Sequence, residues 1–167
     1  MNDTSKKISG FIENMKYERF PVTTQQHAVR AIIDATGCML AGIETPVGQG
    51  VGRVGLKFPH PGGSTIIGTA THISPFIAAM ANSFRANALD GDDGHRASRL
   101  HAGGVIIPSA FAACEQNDCS GKRLIEAVVL GYELGHRAGI VSQKDTTYFG
   151  SAYGATYGAA AAAAYIL

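Results

Sequence analysis

The stretch "ALDGDDGHRASRLHAGG", positions 88–104, gathers three aspartates, two histidines and two arginines in a chain whose charged residues make up only 16% of the total. Three chemistries could use such a set. Carboxylates and imidazoles within one loop can divide the roles of base and acid, because their environments hold their proton affinities apart. Asp90, Asp92, Asp93, His95 and His101 are also oxygen and nitrogen donors of the kind that suits manganese, iron or zinc. Against the metal reading, no two of these histidines stand at helical i, i+4 spacing, and the loop lacks the glutamate at position twelve that an EF-hand requires. The third reading is an ordinary solvated loop. Its flanks, "FIAAMANSFRANAL" and "GGVIIPSAFAA", are apolar, so charges held between them must be satisfied internally or by a polar ligand.

Two further features favour an anionic ligand. Arg96 and Arg99 carry planar guanidinium forks that can grip carboxylates bidentately. Gly103 and Gly104 would let backbone amides approach an anion where the next helix begins, the end favoured by the helix dipole. The remaining histidines read as structural: His27 on a helix surface, His60 and His72 in loops, and His136 in the last turn of its helix. Tyr148, Tyr153 and Tyr157 read as packing residues, although Tyr153 and Tyr157 at i, i+4 could reach a pocket. "GVGRVG" at 50–55 satisfies G-x-G-x-x-G, but a helix and Pro46 precede it and residues 70–78 hold no acidic side chain. Small residues on a packed helix, and not a dinucleotide site, are expected there.

These residues need elements to hold them. A chain of 167 residues with 46% apolar content is long enough for one domain with a core. The formal net charge of +1, with no basic run interleaved with aromatics, gives no reason to expect nucleic acid. "MNDTSKKISGF" contains no apolar signal region, and "GAAAAAAYIL" at 158–167 is far shorter than the roughly 20 residues that span a bilayer. A cytoplasmic protein with no membrane partner is therefore expected. Cys38, Cys114 and Cys119, odd in number and without CxxC spacing, are expected as reduced thiols.

Apolar spacing predicts an all-α chain of about seven helices with at most one short strand, at 64–67. The first helix covers 4–18, with Ile8, Phe11, Ile12 and Met15 on one face. Thr23 or Thr24 caps a second that stops at Gly42. A short helix over 46–58 turns Val47, Val51, Val54 and Phe58 inward. Pro75 opens a helix running to about Leu89, and Pro108 opens another running to about Glu115. Ser120 caps the next, with Leu124, Val128 and Leu134 toward the core and Gly139 as its stop. An alanine-rich helix closes the chain with neither cap nor glycine stop, which predicts an incomplete domain over 1–167.

Several segments resemble the MmgE/PrpD family in consecutive order: "ATGCMLAG", "STIIGTATHISPFIAAMANSF", "ANALDGDDGH…LHAGGVIIPSAFAACEQ", "SGKRLIEAVVLGYELGHRAG" and "YGATYGAAAAAAYIL". The resemblance covers nearly the whole chain. It implies the N-terminal part of a large helical domain, a missing smaller α/β domain, and homodimers. It also implies proton chemistry beside a carboxylate of a di- or tricarboxylic acid, without metal or organic cofactor: 2-methylcitrate dehydration, cis-aconitate decarboxylation or epimerisation of iminodisuccinate.

Residue by residue, the first Asp of the family's D-x-D-D motif falls on Asp90, followed by Asp92 and Asp93. Gly94 stands where the family often has Thr. The family His falls on His101, with one extra residue between motif and His. Phe149 stands where the family carries a further pocket His, which argues against cis-aconitate decarboxylation. The family's catalytic Lys and second catalytic His lie beyond the matching segment.

The resemblance and the residues together assign His101 as a proton-transfer group and Asp90 as its partner or a substrate contact. Asp93 orders the loop at the substrate site, and Gly94, Arg96, Arg99 and Gly103 border the bound carboxylates. The missing half would come from a second polypeptide, or would belong to a longer form cut by truncation or a frameshift. The alternatives are a catalytically incomplete helical module that dimerises or holds a carboxylic acid, and a non-functional remnant.

Overall fold

Helix α5 (Gly103–Gln116) lies at the centre of the molecule, because nearly every one of its faces meets protein. Ile106, Ile107, Pro108, Ala110, Ala112, Ala113 and Cys114 are all buried. Around it stand α1 (Asp3–Glu13), α2 (Val22–Ala41), α3 (Pro46–Gly55), α4 (Pro75–Asn87), α6 (Gly121–Ser142) and α7 (Gly150–Ile166). The computed structural model describes residues 3–142 and 150–167. Among these the chain is predominantly helical, as the apolar spacing predicts. The main core joins Met39 of α2, Ile106 and Ile107 of α5, Val128 of α6 and Ala162 of α7, and a smaller cluster joins Ile66, Ile73, Ala78 and Ala81.

Two strands form where one short strand is expected. β1 (Pro59–Thr65) and β2 (His72–Ile73) pair antiparallel, Ser64 with Ile73 and Thr65 with His72, with an irregularity between Pro59 and Ser64. His60 and His72 therefore sit on strands. The segment is too short and too rich in Pro and Gly for alternation to announce a hairpin. Contacts from outside it supply its order: Ser64 Oγ donates to the Ala112 carbonyl (2.8 Å), and Glu115 accepts from the Thr65 amide (2.8 Å).

Helix ends depart from the sequence reading wherever a distant residue takes part. α1 stops at Glu13, and Met15 is buried in the turn that follows. α2 starts at Val22 because the Pro21 carbonyl accepts the Gln25 amide (3.1 Å), so Thr23 and Thr24 lie inside the helix. α5 begins at Gly103, five residues before Pro108. Its first amide is capped by Asp93, and the Ala102 carbonyl accepts the Ile106 amide (2.9 Å). Gly139 does not end α6, which continues to Ser142. A Cβ at Gly139 would lie 2.9 Å from the Ser98 carbonyl oxygen, so glycine there admits a neighbouring segment.

α3 turns only one of its expected inward residues, Val51, toward the core, where it packs against the Ile66–Ile73 cluster. Gly48, Gly52 and Gly55 are buried, while Val47, Val54 and Phe58 are exposed. The helix lies against the buried Arg85 of α4, whose Nη2 would be 2.7 Å from a Cβ at Gly52. Burial holds the Arg85 guanidinium below its ordinary pKa. It donates to the carbonyls of Gly48 (3.3 Å) and Ile67 (2.7 Å), tying α3 and the β1 end to α4. Small residues are thus needed where the "GVGRVG" helix packs, and no phosphate-binding turn forms.

α6 and α7 approach through glycines on both sides. A Cβ at Gly154 would lie 2.6 Å from the Gly135 carbonyl, and one at Gly158 would lie 2.6 Å from the Gly131 carbonyl. Cys114 and Cys119 are joined as a disulfide across the turn after α5, with Cα atoms 4.9 Å apart, and Cys38 is free. This corrects the expectation of three thiols. Asp118 at φ 48° turns the chain back, and the Cys119 amide reaches the Cys114 carbonyl (3.1 Å), which apposes two side chains that sequence spacing alone does not pair. No helix among the described residues is long and apolar enough to cross a membrane.

Candidate active site

The loop between α4 and α5 is shaped by two residues in the left-handed region, Asp90 and Arg99, both at φ 51°. Such backbone is uncommon for residues with side chains and is found at sites whose surroundings enforce it. His95 and Leu100 close the loop by exchanging backbone hydrogen bonds, His95 N–H to Leu100 O (3.0 Å) and Leu100 N–H to His95 O (3.4 Å). Leu100 is buried beneath, which leaves Arg96 and Arg99 exposed above it.

Each of the three aspartates has a different environment. Asp93 accepts from the Gly103 amide (2.7 Å) through Oδ1 and from the Tyr132 hydroxyl (2.8 Å) through Oδ2. It therefore fastens the loop to the start of α5 and to α6. Burial, and then the Asp93 charge, hold the Tyr132 hydroxyl protonated far above its ordinary range. The Gly103 amide is accordingly engaged within the protein.

Asp92 turns inward. Its side chain is 1% exposed, its Oδ1 accepts from Asn87 Nδ2 (3.3 Å) and lies 3.4 Å from His101 Nδ1. Among the described residues its Oδ2 has no hydrogen-bond partner, and it is buried beside Gly104 at the start of α5. Asp90 is exposed on the same side. One ligand-capable atom from each of Asp90, Asp92 and His101 lies within 4.8 Å of the others, so these three could hold a cation, whereas Asp93 and His95 are engaged elsewhere.

His101 is half exposed, 48% by side chain, above the buried Asp92. The two residues line a cavity of about 380 Å³ with Phe84, Asn87, Gly104 and Ala155. A carboxylate facing Nδ1 favours a proton on that nitrogen and leaves Nε2 for the solvent side. Gly94 borders the ring, since a Cβ there would lie 3.8 Å from His101 Cε1. Arg96, Arg99, Gly94 and His101 line a second, shallow cavity of about 420 Å³. His101 thus stands between a pocket holding a buried carboxylate and a face holding two exposed guanidiniums. Phe149 and Tyr148 lie outside the described residues, while Tyr153 and Tyr157 stand exposed with rings 6.0 Å apart.

Tyr132, Ser98 and His136 escape the sequence reading as parts of this site, and Asp92, read there as a candidate donor and motif residue, is not singled out as the carboxylate facing His101. Ser98 is fully buried between His95 and His136. His136 lies well inside α6, not in its last turn. Together with His27, His95 and Tyr132 it lines a cavity of about 590 Å³ between α2 and α6. A Tyr and a His four apart on one helix, Tyr132 and His136, were the available signal, because that spacing places both on one face.

Burial, and then the neighbouring His95, lower the His136 pKa from its usual 6.5, against the opposing pull of Asp93 and Glu133. The unfolded chain therefore takes up this proton at higher pH than the folded chain does. Stability contributed by neutral His136 is complete above 6.5 and is lost as pH falls from 6.5 toward the lowered folded value. Urea unfolding over this range should show the wild-type loss flattened in His136→Gln. Identical pH slopes for the two proteins would exclude this origin.

The sequence that forms these elements is similar to known proteins. The model of the MmgE/PrpD N-terminal domain matches residues 6–167. A cis-aconitate decarboxylase of Aspergillus terreus is 30% identical over 165 residues, which cover 95% of this chain and 34% of that protein. A cis-aconitate decarboxylase-like protein of Aspergillus oryzae is 27% identical over 144 residues, 82% of this chain and 30% of that protein. The chain thus spans about a third of the length of these relatives. With its matched segment running through the Asp90–His101 loop and the helices that hold it, the chain belongs to the MmgE/PrpD family.

Proposed function

We propose that the chain carries the helical-domain half of an acid–base active site acting beside a carboxylate of a small di- or tricarboxylic acid, in a lyase or epimerase of this family. The observation that carries the reading is the pairing of exposed His101 with buried Asp92 at the mouth of a cavity. His101 moves the proton through Nε2, and Asp92 holds the ring from the Nδ1 side. Asp90 stands beside them toward the substrate. Arg96 and Arg99 attract the substrate carboxylates from the other side, with Gly94 and the Asp93-ordered start of α5 at Gly103 shaping the floor. The scheme uses no metal or organic cofactor. Removal of a proton alpha to a carboxylate leads to dehydration, decarboxylation or epimerisation according to the leaving group, and all three stay within the proposal.

The partner surface is proposed from exposed apolar residues next to the cavity. Phe76 (86% exposed), Met80 and Phe84 stand at i, i+4 and i+8 on α4, and Tyr153 and Tyr157 stand on α7. Such a contiguous apolar face marks an interaction surface, here for a second copy or a second polypeptide completing the site. It also supports the alternative reading, an assembly module that holds a carboxylic acid without turning it over. A cytoplasmic setting, without nucleic acid or membrane, completes the proposal.

The test is deuterium incorporation alpha to the carboxylates of 2-methylcitrate, citrate, cis-aconitate and iminodisuccinate, followed by NMR in D2O. Exchange with at least one acid, lost in His101→Ala, is the expected result. Binding of these acids to a folded chain with no exchange above background would overturn the catalytic reading in favour of the module.

A further inference from the structure

Ser98 has no part in the proton transfer, yet it is the most enclosed polar residue of the loop, with no exposed surface. Its Oγ lies 2.8 Å from His95 Nδ1 and 2.8 Å from His136 Nδ1. A hydroxyl has a single proton; the His95 carbonyl stands 3.4 Å from Oγ, farther than either ring, so between the two rings the hydroxyl donates to one and accepts from the other. Which ring is which follows from a third contact: the Ser98 backbone N–H donates to His95 Nδ1 at 3.3 Å. A nitrogen that accepts an amide proton carries no proton of its own. His95 is therefore the acceptor, receiving both the Ser98 amide and the Ser98 hydroxyl, and holds its proton on Nε2. The hydroxyl oxygen is left to accept, and His136 Nδ1–H is the donor. His136 thereby presents an unprotonated Nε2.

The arrangement joins the active-site loop to α6. Ser98 sits in the middle of the segment closed by His95 and Leu100, next to His101 in sequence. Its carbonyl and Cβ lie against Gly139, where a Cβ would be 2.9 and 3.0 Å from them. The His95 and His136 rings meet beside it at a tilt of 48°, with centroids 4.5 Å apart. We propose that Ser98 is a positioning residue: held between His95 in the Nε2–H form and His136 in the Nδ1–H form, it seats the 94–101 segment on α6 and so fixes where His101 stands. The consequence for exchange rests on the acid–base reading of His101, whereas the two tautomers do not.

The test is therefore made first without reference to activity. Two-bond 1H–15N spectra of the 15N-histidine-labelled chain, assigned by single His→Gln substitutions, should show His95 with a bare Nδ1 and His136 with a protonated Nδ1 and a bare Nε2. Ser98→Ala removes the acceptor and should return His136 toward the Nε2–H form. Where exchange is measurable it should also fall, by roughly tenfold to a hundredfold, as expected when a reacting group is displaced by about 1 Å. His136→Asn, whose amide can donate to the same oxygen, should keep the His95 signature and most of the exchange, whereas His136→Leu should not. A wild-type His136 bearing its proton on Nε2, or imidazole signals unmoved by Ser98→Ala, would overturn the proposal. Correct tautomers in a chain that exchanges no substrate proton would uphold the seat and count against the acid–base reading alone.

Discussion

Asp92→Asn lowers alpha-proton exchange by about 10²-fold or more, and His101→Ala lowers it by about 10²–10⁴-fold, the usual range for loss of a positioned acid–base group. The double variant is no slower than His101→Ala alone. Asp92 touches the reaction only through the imidazole, so once the ring is gone its carboxylate has nothing to orient, and residues that act as one unit are strongly non-additive. Asparagine keeps the shape of Asp92 and its acceptor toward Asn87, so the effect reads charge and not packing. Asp90→Asn provides the contrast. Asp90 is exposed, and asparagine tolerates its left-handed backbone, so this variant weakens substrate binding more than it slows the proton step. Single-turnover exchange rates against acid concentration separate the two effects. A full multiplicative loss in the double variant would show Asp92 and His101 working independently, and the dyad would be wrong.

Gly158→Ala lowers the unfolding free energy by about 1–2 kcal/mol, while Gly37→Ala raises it by about 0.5–1 kcal/mol. Both glycines lie inside helices, where alanine is intrinsically better by up to about 1 kcal/mol. Surroundings decide the sign. A Cβ at Gly37 would meet nothing within 4 Å, so only the helical gain remains. At Gly158 it would meet the Gly131 carbonyl and Ile106 Cδ1, each at 2.6 Å. The backbone carbonyl cannot rotate away, so α6 and α7 must separate, and overpacking of this kind costs about 1–3 kcal/mol. Gly154→Ala meets the Gly135 carbonyl at 2.6 Å and behaves in the same way. Melting temperatures follow at about 2–4 °C per kcal/mol for a domain of this size. Equal stability of Gly158→Ala and Gly37→Ala would refute the close crossing of the two helices.

Most helices were legible because each has a local cause. Pro75 at a first turn and the apolar spacing of Leu124 and Val128 act within a few residues, and the structure places α4 and α6 there. The Cys114–Cys119 bridge, the β1–β2 pairing and the burial of glycine instead of valine on α3 were not legible. In each the deciding partner lies elsewhere: a turned chain at Asp118, carbonyls and carboxylates of α5, and the buried guanidinium of Arg85. A valine stripe marks a face that prefers an apolar neighbour, but it cannot show that a long side chain from another helix already requires the opposite face to be glycine.

The same division runs through the site. That one loop holds the carboxylates, imidazoles and guanidiniums, and which family it resembles, can be read along the chain, because residue types and their order need no folding to be seen. That Asp92 is the carboxylate facing His101, that Asp93 is occupied by Gly103 and Tyr132, and that Ser98 is held against His136 depends on how the helices pack. Asp90, Asp92 and Asp93 are chemically alike and adjacent, so nothing local ranks them. Burial of Asp92, the left-handed turns at Asp90 and Arg99, and donors arriving from α5 and α6 give the three carboxylates different neighbours, and those neighbours set the role of each.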